Sequence, residues 1–102
     1  MSDIKQAHHA VVMRVLEGAG TASHDQRRAA FDNAAPSGPV GTLIDKVARH
    51  PYTVTDQDVG TAKASSLSED QIFEVVVCAA VGQATRQYQT ALAALKAATG
   101  KS

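Results

Sequence analysis

The stretch SEDQIFEVVVCAAVGQATRQYQTALAALKAA, residues 68–98, decides the fold. Ser68 stands where a helix N-cap belongs, and Gln71 sits three residues on, the spacing of a capping box. Leu67 and Ile72 flank that cap as a hydrophobic staple does, and Glu69 and Asp70 bring negative charge to the positive end of the helix dipole. No residue between Glu74 and Arg86 is charged. Ile72, Val76, Ala80, Ala84, Tyr88, Ala91 and Leu95 follow helical spacing, with Phe73, Val77, Val81 and Leu92 beside them. So broad an apolar surface predicts a long helix largely wrapped by its neighbours. Gly82 in its middle costs about 1 kcal/mol relative to alanine, which points to another backbone approaching closely there.

The rest of the chain supplies short helices to do the wrapping. Ser2 and Asp3 can cap a first helix that places Ile4, Ala7, Val11, Val12, Val15 and Leu16 on one face and ends at Gly18. Ser23 with Gln26 forms a second capping box before a helix through Phe31. The run Pro36-Ser37-Gly38-Pro39 breaks the chain, and Pro39 suits the first turn of a third helix striped by Val40, Leu43, Ile44, Val47 and Ala48. Pro51 pushes His50 out of the helical region and stops it. Thr55 with Asp58, and a staple of Val54 on Val59, begins a fourth helix that Ser65 and Ser66 interrupt. No alternating apolar run flanked by hairpin turns predicts a strand. The expectation is a single all-α domain, residues 1–102, built as a helical bundle with one long buried C-terminal helix.

Composition narrows the function. Ten basic and ten acidic residues among 102 leave no net charge, which argues against a nucleic-acid partner or an anionic membrane. The uncharged run from Val75 to Thr85 falls well short of the ~20 residues a membrane span needs. The opening Met1-Ser2-Asp3-Ile4-Lys5 lacks a basic-then-apolar signal pattern, and one cysteine fits a reducing compartment, so the expected location is the cytoplasm. Alanine is abundant and aromatics are only 4%, a composition suited to closely packed helices.

The segment VARHPYTVTDQDVGTAKASSLSEDQIFEVVVCAAVGQATRQYQTALAAL, residues 47–95, resembles the C-terminal half of alkylhydroperoxidase D-like (AhpD-like), or carboxymuconolactone decarboxylase-like, proteins. The shared pattern is a helix end, a V-T-D-x-D-V helix start, a short helix, and S-E-D-x-I-F-E opening a long apolar helix with an arginine. The resemblance implies an all-α fold with a buried helical hairpin, assembled as dimers, trimers or hexamers. Its peroxidase branch carries a CxxC thiol relay with a glutamate upstream and a histidine downstream. This chain has no CxxC, and Ser65-Ser66 replace a glycine common in relatives.

Four residues are candidates for chemistry. Cys78 follows Glu74 by one helical turn, so a carboxylate and a thiol share a side of the long helix. An apolar setting raises a thiol pKa, which favours a packing role for Cys78. His50 ends a helix where the dipole favours its charged form, and Tyr52 follows as a residue expected to tuck against the core. His8 and His9 point about 100° apart and form no metal pair, and His24 reads as exposed. Arg86 reads as a helix–helix contact or a pocket rim. The pair Arg27-Arg28, offset by Asp25 and Asp32, reads as a solvated face. No cofactor and no metal is expected.

Two functions fit. One is an oligomeric assembly or small-ligand-binding module without the thiol relay. The other is an enzyme, either a single-cysteine peroxidase or thiol reductase on Glu74 and Cys78, or a cofactor-free decarboxylase-like protein.

Overall fold

The computed structural model describes residues 2–34, 38–65 and 67–100. Five α-helices follow one another: α1 (Ser2–Glu17), α2 (His24–Phe31), α3 (Pro39–Arg49), α4 (Asp56–Ala64) and α5 (Glu69–Thr99), with a single 3-10 turn at Pro51–Thr53 between α3 and α4. Among the described residues there is no strand. The all-α expectation therefore holds.

The helix starts follow the local chemistry of the chain. Ser23, Thr55 and Ser68 each accept from the backbone N–H three residues on, and the side chains of Gln26, Asp58 and Gln71 accept from the cap residue's own N–H. At Ser68 the two bonds measure 3.1 and 2.9 Å. Each box satisfies two donors that a helix start otherwise leaves without partners. Pro39 occupies the first turn of α3, and His50 ends it with non-helical backbone ahead of Pro51. The expected cap at Ser2 is displaced, because Ser2 is itself the first helical residue of α1. The proline-rich break at 35–37 and Ser66 lie outside the described residues.

The core forms where α2, α3 and α1 lie against the first half of α5. One cluster joins Leu16, Ala22, Ala30, Phe31, Ile44, Val75, Cys78 and Ala79. A second joins Leu43, Ala62 and Ile72, with both staples, Val54 with Val59 and Leu67 with Ile72, packed in it. Helix α1 runs antiparallel to α5, since Val15 meets Cys78 and His8 meets Thr85.

Two expectations about burial are corrected. The buried stripe of α5 is Ile72, Val75, Cys78, Ala79, Gly82 and Thr85, while Ala80, Ala84 and Leu95 are exposed. The whole surface from Val75 to Val81 is apolar, so periodicity did not choose the face; close approach at Gly82 did. A Cβ there would collide with the backbone carbonyl of Phe31, so only glycine lets α2 seat at this distance. Arg86 then donates to the same Phe31 carbonyl at 2.6 Å and to Gln83 Oε1 at 2.9 Å, tying the end of α2 to α5.

The second correction is that α5 is wrapped only along part of its length. At about 1.5 Å per residue its 31 residues span about 46 Å, close to the 50 Å longest dimension of the fold. Residues 93–100 are exposed throughout.

Candidate functional site

Glu74 stands on the first half of α5 and faces the loop between α1 and α2. Thr21 donates to Oε2 twice, from its backbone N–H at 2.9 Å and its hydroxyl at 2.7 Å, and the Ala22 N–H donates to Oε1 at 3.0 Å. Gly20 permits the approach, because a Cβ on it would overlap the carboxylate. These donors, the Thr21 N–H foremost, hold the Glu74 pKa below the ordinary glutamate value, and the charge of Arg27 adds to the effect against the cost of burial. A carboxylate stabilised as an anion and engaged at both oxygens is a weak proton acceptor. Its position makes it a staple that fixes the α1–α2 loop.

Cys78, one turn along, is 1% exposed. Its Sγ donates to the Val15 carbonyl at 3.1 Å. Burial pushes its pKa up, with the nearby Arg27 charge opposing and the Glu74 charge adding slightly. Thiolate is the reactive form, so each of these features favours packing over nucleophilic attack.

Arg27 corrects the sequence reading most sharply. Expected on a solvated face, it is 5% exposed. One terminal nitrogen donates to the Gly18 carbonyl at 2.6 Å, and the buried Nε–H has no partner. Among the described residues it forms no ion pair. The signal was present, since Ala30 and Phe31 follow at three and four residues and place Arg27 on the buried side of α2. Arg28 is exposed, as expected, and pairs with Asp32.

Beside Arg27 lies an open cleft of about 150 Å³, lined by Arg14, Val15, Arg27, Phe73, Glu74 and Val77 among others. Phe73 is 68% exposed and forms part of its wall. His50 and Tyr52 are not part of it. Both are exposed and meet edge to face, with ring centroids 6.1 Å apart. Tyr52 is 84% exposed, which corrects the expectation that it tucks against the core. The four candidates thus divide into a pair on α5, with Cys78 buried and Glu74 half-buried, and an exposed pair after α3.

His8, expected to be one of an unproductive pair, makes a specific contact. Thr85 Oγ1 lies 2.7 Å from the Val81 carbonyl and 2.9 Å from His8 Nε2, so the hydroxyl joins α1 to α5, with the direction of the His8 bond set by the imidazole tautomer. The His8 ring stacks on Tyr88 at 5.4 Å between centroids. This contact fixes the register of α1 on α5.

Among the described residues no group of three or more His, Cys, Asp or Glu side chains is placed to hold a metal ion. No described helix is long and apolar enough to cross a membrane. No family model, curated protein or solved structure matches the chain.

Proposed function

We propose that this chain is an assembly module of the alkylhydroperoxidase D-like type, cytoplasmic and lacking the thiol relay, which associates with further copies of itself through α5. The observation that carries this reading is the unpartnered C-terminal part of α5. Leu95 is 59% exposed there, and on α1 Ile4 and Val11 are 50% and 49% exposed. Ile4 and Val11 share the side of α1 that carries His8, so their apolar surface adjoins the Tyr88–Leu92–Leu95 side of α5. Contiguous exposed apolar surface marks interaction sites, and closed symmetry is the usual result for a soluble homo-oligomer. The resemblance of residues 47–95 to proteins that assemble as dimers, trimers or hexamers supports the same reading.

Light scattering coupled to size exclusion tests it. A mass of two or more chains at micromolar concentration is expected, and Leu92→Glu combined with Leu95→Glu should yield monomer with unchanged helicity. A monomeric mass across a hundredfold dilution series would overturn the proposal.

The enzymatic readings have less support, because the buried Cys78 thiol and the engaged Glu74 carboxylate are poor partners for catalysis. Native protein should react slowly with a thiol reagent and quickly once denatured. Rapid native labelling, with peroxide turnover lost in Cys78→Ala, would favour the peroxidase. Small-ligand binding is favoured by the cleft beside Arg27.

A further inference from the structure

We propose that the cleft between α1, α2 and α5 binds a small monocarboxylate with an apolar tail, its carboxylate paired with Arg27. The inference rests on the ligand-binding reading and is independent of self-association.

A guanidinium carries five N–H donors, and burying one without partners is costly. Arg27 is 5% exposed, yet its guanidinium makes one hydrogen bond among the described residues, to the Gly18 carbonyl. Its Nε–H is sealed from solvent without a partner, which leaves the second terminal nitrogen as the unpartnered donor with accessible surface. Glu74 borders the same cleft but does not complete the pair. Its oxygens are engaged by Thr21 and Ala22, and it forms no ion pair with Arg27. Arg14 also borders the cleft, so two cations there face one anion already engaged by the loop. That balance favours an incoming negative charge.

A carboxylate oxygen accepts from the remaining terminal N–H group of the guanidinium, and charge-assisted bonds of this type are the strong ones. The remaining walls define the rest of the ligand. Beside Arg14, apolar surface for a tail comes from Val15, Val77 and the exposed ring of Phe73. The cleft is open to solvent, and its volume of about 150 Å³ gives room for a short tail without closing over it. Butyrate and valerate meet both conditions.

Titration of the wild-type protein with butyrate, followed by the NMR signal of the Arg27 Nε–H, is the direct test. A saturable shift of that signal is expected, with butyramide at equal concentration producing none. Affinity should rise from acetate to valerate as the tail covers the Phe73 ring, and an affinity that does not change with tail length would count against the apolar wall. Phe73→Ala, at an exposed position, should weaken binding several-fold, and Arg27→Gln by about tenfold or more, the worth of a charged hydrogen bond. Since Arg27→Gln also removes the bond to Gly18, the wild-type titration stands on its own if that variant fails to fold. An Arg27 signal that does not move, or that moves equally with butyramide, would overturn the proposal. Butyrate binding that survives Phe73→Ala with unchanged chain-length preference would also overturn it. Light scattering of the same samples reports assembly separately, so the two proposals fail independently.

Discussion

The two parts of α5, residues 69–86 and 87–99, use similar residues to different ends. Both are alanine-rich, carry branched aliphatic side chains and have few charges. The first holds all six of the helix's buried residues, and the second holds none. Hydrophobicity does not separate them. What separates them is a set of docking features confined to the first part: a glycine that admits a backbone, a carboxylate that gathers a loop, and Arg86, which caps a neighbouring helix. Apolar content makes a helix surface available for burial, whereas these features decide which part is buried within the chain.

The largest expected effect is therefore at Gly82. A Cβ at this position meets the backbone of Phe31, which cannot swing aside as a flexible side chain can. Gly82→Ala should destabilise by about 3 kcal/mol or more despite its better helix propensity, by forcing α2 off α5. The converse change in the second part, Ala91→Gly, should cost only the propensity difference of about 1 kcal/mol. Denaturant titration of the two variants measures the contrast. Equal effects would mean that α2 does not seat on Gly82.

Glu74 comes next. Glu74→Ala leaves the Thr21 and Ala22 donors without their acceptor. Water can reach the exposed Thr21 groups, so the cost rests chiefly on the part-buried Ala22 N–H and should be about 1 kcal/mol. The pH dependence has a definite sign. The folded pKa of Glu74 lies below its unfolded value of about 4.3, so its contribution is fully present above that value and is lost as pH falls through the folded pKa. Asp58, lowered chiefly by its hydrogen bond with Lys46, acts in the same direction. Glu74→Gln should therefore flatten the acid limb of the stability curve without abolishing it. An unchanged acid limb would show that the loop does not depend on this carboxylate.

These features differ in how far the sequence exposes them. The capping boxes at Ser23, Thr55 and Ser68 were legible because both partners lie three residues apart, where no tertiary information is needed. Gly82 was legible as a close approach because a mid-helix glycine is costly, although its partner on α2 was not. The buried face of α5 was not legible, since Val75, Val76 and Val77 in succession offer burial in several directions. Arg27 was missed for a different reason. Balancing charges along the sequence treated Asp25, Arg27, Arg28 and Asp32 as one group, while helix geometry turns Arg27 inward with Ala30 and Phe31 and leaves Arg28 outside. Tyr52 was misplaced because a single aromatic after a proline has no periodicity to show its direction. The loop amides around Glu74 come from residues 52 and 53 positions away in the chain, beyond the reach of local pattern.

Ser68→Ala tests a feature that is local and fully legible. It removes the oxygen that accepts from the Gln71 N–H and should cost about 1 kcal/mol, with the denaturant slope unchanged. An unchanged midpoint would mean that the start of α5 is held by the Leu67–Ile72 staple alone.

The smallest effect on the isolated fold is expected at Leu95, and it is the one that best sharpens the comparison. Leu95 is exposed and belongs to neither core cluster. Leu95→Ala should thus change the stability of dilute, monomeric protein by no more than about 0.5 kcal/mol, the range of an ordinary surface substitution. In a self-associating protein the same side chain is buried between copies, and assembly adds stability that grows with concentration. The wild-type melting temperature should then rise with protein concentration, and Leu95→Ala should reduce that rise while leaving the dilute value in place. A large loss at high dilution, of the size expected for a core residue such as Val75, would show that the second part of α5 is covered within its own chain. Concentration-independent melting of both proteins would show that this part of the helix stands free.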